Sequence, residues 1–74
     1  MVNVGRNIRR LLEERKMTYQ DLAKKVFYHK MTVFRWVNGE SSPTADTVLL
    51  IAEALNVSVM EIFKDEEEQD GGSD

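Results

Sequence analysis

Cysteine is absent from the 74 residues, so neither a disulfide frame nor a thiolate metal site is available. One histidine, His29, is too few for a histidine metal cluster. No run approaches the roughly 18 apolar residues that a membrane span requires. The start, MVNVGRNIRR, lacks the apolar stretch of a secretory signal. Glycine-rich phosphate loops, metal-ligand spacings and nucleophile–base arrangements are missing as well. The acids at Glu13-Glu14 and over residues 65–68 have no apolar wall to push one carboxyl pKa away from another. These absences predict a soluble, cytoplasmic, single-domain protein with no metal, no cofactor, no membrane and no enzymatic activity.

Acids outnumber bases, thirteen to ten, for a net charge of −3. The excess is not spread evenly. Residues 65–74, DEEEQDGGSD, contain six acids and no base, and the other 64 residues carry ten bases against seven acids, a balance of +3. Charge therefore divides the chain into a mildly basic globular domain at 1–64 and an acidic tail at 65–74. Like charges in a row repel and Gly-Gly-Ser adds chain entropy, so the tail is expected to be disordered. A passive, solubilising tail is the favoured reading; the alternative is an intramolecular competitor for the basic face.

Apolar residues recur at helical spacing, with no strand-like alternation and no repeat. Residues 6–15 set Ile8, Leu11, Leu12 and Arg15 at that spacing. Thr18 begins a second helix as N-cap, with Asp21 as the capping-box acid and Leu22, Ala23 and Val26 inside. Phe27-Tyr28-His29 forms a turn, and His29 takes the N-cap slot of a third helix whose Val33, Trp36 and Val37 face inward. Gly39 ends it at a position that tolerates positive φ. After a polar loop at residues 40–43, Thr44 caps a fourth helix, with Val48, Ile51, Ala52 and Leu55 inside and Asn56 as left-handed terminator. Ser58 and Glu61 are placed for a capping box on a last short helix that buries Val59, Ile62 and Phe63. The expected fold is all-α, a compact bundle of five helices.

Within it, residues 18–39, TYQDLAKKVFYHKMTVFRWVNG, have the layout of two short helices joined by a tight turn. Such a pair leaves the outer face of its second helix free for the major groove of DNA. From the order and spacing of Ile8, Leu11, Thr18, Leu22, Ala23, Lys25, Thr32-Val33, Arg35-Trp36, Asn38-Gly39, Pro43-Thr44, Ile51-Ala52, Ala54-Leu55, Val57-Ser58 and Ile62-Phe63, residues 4–63 resemble the Cro and phage-repressor (Xre) type of helix-turn-helix domain. The resemblance implies a DNA-binding domain containing a helix-turn-helix. Several positions depart from that pattern. The family's usual glycines at the end of helix one and in the turn are Lys16 and Phe27. A non-glycine residue at positive φ costs about 1 kcal/mol, which calls for a reshaped turn or for packing by Phe27. Tyr19 stands in place of a glutamine, and His29 in place of a capping serine. An arginine and a glutamate that pair in many members are Leu12 and Val37 here. Losing one alone would strand a buried charge at about 3–5 kcal/mol, whereas losing both can be neutral; the two are expected to meet in the core.

By the same resemblance, bases are read by Lys30, Met31, Thr32, Phe34 and Arg35. Arg35 can pair bidentately with guanine O6 and N7, and Lys30 can donate to the same edge. Met31 and Phe34 suit thymine methyl groups or, equally, a protein partner. Tyr28 and Trp36 are assigned to the core. Phosphate contacts are expected from Tyr19 and Gln20 at the start of helix two and from Asn38, with Arg6 and Lys24 adding charge at the edges. Glu40 weakens the electrostatic attraction, and His29 is a tolerated cap substitute.

The implied function is a sequence-specific DNA-binding transcriptional regulator, a repressor, reading the major groove of double-stranded DNA with helix three. The rival is the same scaffold as a protein-interaction module through Met31 and Phe34. One recognition helix covers few base pairs, so a dimer on a two-fold symmetric operator is expected, with half-sites about one helical turn apart. Leu50 and Met60 occupy slots that the family commonly fills with polar groups. With Leu49 they form the expected interface of a weak homodimer.

Overall fold

The computed structural model describes residues 1–65. Five helices follow in order: α1 (Val4–Arg15), α2 (Tyr19–Val26), α3 (Lys30–Val37), α4 (Ala45–Leu55) and α5 (Val59–Ile62). The all-α, five-helix architecture is the one that the apolar spacing predicts. The first helix packs on α3 and α5, α2 packs on α3 and α4, and α4 packs on α5. Each helix contributes fully buried aliphatic side chains, among them Ile8, Leu22, Val33, Ile51 and Ile62, worth about 1.5–3 kcal/mol apiece in transfer from water. Leu12 and Val37 are both buried in this one cluster, so two apolar groups fill the slots of the family's ion pair and no charge is stranded. No helix among the described residues is long and apolar enough to cross a membrane.

Polar caps fix the helix ends. Asn3 accepts from the Arg6 N–H at 2.9 Å, which starts α1 earlier than the expected residue 6. Thr18 and Asp21 close a full capping box, each accepting the other's backbone N–H at 3.0 Å. Thr44 accepts from the Thr47 N–H. Lys16, Phe27 and Asn56 end their helices in the left-handed region, at φ 54°, 63° and 56°. The turn after α2 is therefore not reshaped. Nor does packing offset its strain, because Phe27 is 91% exposed.

Four other expectations need correction. Ser58 and Glu61 do not form a capping box: Ser58 accepts from the Met60 N–H at 3.2 Å, while the Glu61 carboxylate lies 3.6 Å from Arg10. Phe63 is exposed, because α5 is a single turn that ends at Ile62. Tyr28 is half-exposed rather than core, its ring edge-on to Trp36 at 5.1 Å and its hydroxyl 3.0 Å from that of Thr47. Asp65, counted with the tail by charge, instead bridges antiparallel to Val2 and meets the Met1 ammonium at 2.7 Å. The remainder of the tail, residues 66–74, lies outside the described residues.

Long-range polar contacts lock the ends of the bundle. Asn7, fully buried, donates its amide hydrogens to the carbonyls of Ile62 at 2.7 Å and Lys64 at 2.9 Å. Arg15 donates to the Leu55 carbonyl at 2.8 Å and so caps the C-terminus of α4. Gly5 sits where a Cβ would collide with the Trp36 carbonyl oxygen and stand 2.8 Å from that of Val37. Only glycine lets α1 approach the end of α3 this closely.

Candidate nucleic-acid interface

The orientation of α3 follows from its apolar residues. Val33, Trp36 and Val37 are buried, so Lys30, Met31, Phe34 and Arg35 are turned outward. Thr32 is half-buried at the edge of that face. At the N-terminal end, Tyr28 ties the turn to α4 through a hydroxyl chain, Tyr28 to Thr47 and Thr47 to Thr44 at 2.9 Å. At the C-terminal end, α1 presses on α3 at Gly5. The exposed face is thus presented by a helix held at both ends.

The start of α2 lies beside this face. Tyr19 packs its ring on Phe34, centroids 6.0 Å apart and tilted by 60°. Together Thr18, Tyr19, Gln20, Lys30, Met31 and Phe34 line an open groove of about 460 Å³. The capping box uses the N–H groups of Thr18 and Asp21, and Leu22 N–H donates to the Thr18 carbonyl. Among the described residues the N–H groups of Tyr19 and Gln20 have no partner, so they can meet an anion at the positive end of α2. Asp21 stays ionised, its pKa lowered chiefly by the backbone N–H of Thr18.

A second groove, of about 430 Å³, runs between the start of α1 and the end of α3. Asn3, Arg6, Arg9, Val37, Asn38 and Gly39 line it. The residues singled out for base and phosphate contact are therefore divided between two grooves: Tyr19, Gln20, Lys30, Met31 and Phe34 in the first, Arg6 and Asn38 in the second. Lys24, Thr32 and Arg35 line neither of the two. Arg9 was not among the candidates, although its place three residues after Arg6 on one helix face signals it. Leu49, Leu50 and Met60 are exposed on α4 and α5, Met60 at 73%. Phe63 adds apolar surface at the end of α5.

A short helix pair with a tight turn, a buried inner stripe and a free outer face defines a helix-turn-helix domain. The helix-turn-helix family profile matches residues 8–62. The chain belongs to this family, of the phage-repressor (Xre) type, whose members are DNA-binding transcription regulators. Over 55 residues, 74% of this chain, it is 27% identical to a protein of Methanothermobacter thermautotrophicus provisionally designated an HTH-type transcriptional regulatory protein. The chain spans only 18% of the length of that curated relative. Among solved structures, it is similar to the restriction-modification controller protein C.AhdI from Aeromonas hydrophila, with a TM-score of 0.79 and 22% identity over 84% of this chain and 94% of that one. The P22 c2 repressor, solved in complex with a synthetic operator, gives a TM-score of 0.78 and 23% identity over 86% and 97%. The hypothetical transcription factor NHTF from Neisseria gives 0.85 and 14% over 95% and 80%. At these identities the likeness to solved structures is one of fold.

Proposed function

We propose that this domain is a transcriptional repressor of the cytoplasm that reads double-stranded DNA with α3 in the major groove. The observation that carries the reading is the outer face of α3, where Lys30, Met31, Phe34 and Arg35 are exposed beside the uncapped N–H groups of α2. On this reading Arg35 and Lys30 donate to guanine edges, Met31 and Phe34 meet thymine methyl groups, and Thr32 contacts bases from the margin. Tyr19 and Gln20 bind one phosphate run at the start of α2. Asn38 and Arg6 bind another across the second groove, and Lys24 adds longer-range attraction. The repressing role is favoured by the fold shared with the P22 c2 repressor, which was solved on operator DNA.

Two copies are proposed to pair weakly on a two-fold symmetric operator through Leu49, Leu50 and Met60, which leaves α3 of each copy free to enter its half-site. Selection of bound sequences from random duplex DNA, followed by a salt titration on the best site, tests the whole reading. Enrichment of one symmetric motif, with affinity falling as salt rises, is expected. Enrichment of no motif, with binding indifferent to salt, would refute it.

A further inference from the structure

The root of the acidic tail lies beside a cationic groove. Asp65 bridges to Val2, and Val2 lines a depression that shares Asn3 and Gly39 with the groove of Arg6, Arg9 and Asn38. A continuous path therefore leads from the last described residue to two guanidinium groups. The next residues are Glu66, Glu67, Glu68, Gln69 and Asp70, four acids within five positions. The first turn of α1 contains no acid of its own, so nothing in that helix offsets its positive end. Arg9 is engaged by Glu13 only at 3.5 Å on an exposed surface, a pairing that costs little to exchange.

We propose that residues 66–70 dock on the Arg6–Arg9 groove and there compete with a DNA phosphate, making the tail an autoinhibitory strand. The geometry permits it. Arg9 lies six residues beyond Asn3 along α1, about 9 Å at helical rise, and five residues of extended chain span about 16 Å. That length of chain exceeds the separation to be covered. The competition with DNA rests on the function proposed above; the docking itself does not.

The test uses the full chain and a full-length variant carrying Glu66→Gln, Glu67→Gln, Glu68→Gln and Asp70→Asn. Backbone amide resonances of Arg6, Arg9 and Asn38 are compared in the two at roughly 50 mM and 300 mM salt, where screening grows from weak to strong. Docking predicts shifts between the two chains at low salt that vanish at high salt. On selected DNA at low salt the neutral-tail variant binds about tenfold tighter, a coupling of ordinary size. That gain shrinks to about twofold when both chains also carry Arg9→Gln, which removes half of the receiving charge. Identical amide shifts at low salt overturn the docking whatever the DNA result. A gain unchanged by Arg9→Gln overturns it too, because a general charge effect would not need that groove. Shifts that grow with protein concentration place the tail on a second copy and overturn the intramolecular form. If neither chain binds any selected DNA, the function proposed above fails while the resonances still decide the docking.

Discussion

A Cβ on Gly5 would stand 2.8 Å from the carbonyl oxygen of Val37, closer than side chains and backbone normally come. The start of α1 is thereby set against the end of α3, and the tilt of the exposed helix depends on a residue with no side chain. Gly5→Ala must push the two helices apart. Overpacking of this kind costs about 1–3 kcal/mol, so chemical denaturation should show a loss of that size, with DNA affinity falling alongside it. An unchanged midpoint would mean that α1 and α3 separate without penalty.

Phe27 carries left-handed strain with nothing to offset it. At φ 63° and almost fully exposed, it gives up no packing on replacement. Phe27→Gly should therefore stabilise the domain by about 1 kcal/mol, read as a higher thermal midpoint. A lower midpoint would reveal a contribution from the ring in the folded protein.

The capping box gives a pH signature. The Thr18 backbone N–H, and next its hydroxyl, hold the Asp21 carboxyl below the ordinary range, with Lys24 and Lys25 assisting. A folded pKa below the unfolded value of about 3.9 means that this stabilisation is complete above that pH. It is lost as pH falls through the lowered folded value. Thermal midpoints of the parent and Asp21→Asn should differ at neutral pH and converge as pH falls below the unfolded carboxyl range. A constant gap would assign the loss to something other than the carboxylate.

Much of the helical framework was legible because it is local. The stripe of Val33, Trp36 and Val37 alone orients Lys30, Met31, Phe34 and Arg35, and Thr18, Thr44 and Asn56 act on neighbours within a turn. What escaped the sequence is what joins distant segments. Asn7 satisfies carbonyls more than fifty residues away, and Arg15 caps a helix forty residues on. Gly5 answers to backbone at Trp36 and Val37. Glu61 faces Arg10, a charge on another helix, at 3.6 Å and closes no capping box. The candidate interface divides the same way: the outward face of α3 is periodic and readable, whereas the place of Arg9 in the wall of the second groove depends on how α1 meets α3.

Pairing on DNA should respond to the α4–α5 surface alone. Leu50 and Met60 are exposed without lining either groove, so Leu50→Glu or Met60→Glu should leave each half-site contact intact while removing cooperativity. Footprinting of the selected site should then show protection of both half-sites only at higher protein concentration. An unsymmetric single footprint, the same in parent and variants, would exclude this interface.

In the proposed binding mode α3 reads bases while the start of α2 holds phosphate. Affinities of Arg35→Ala and Gln20→Ala, measured on the selected site and on its single-base variants, test it most directly. Arg35→Ala should lose about 1–3 kcal/mol on the best site and relax preference at one base pair, whereas Gln20→Ala should weaken every sequence evenly. Parent-like affinity and preference in both variants would contradict the assignment of α3 to the groove.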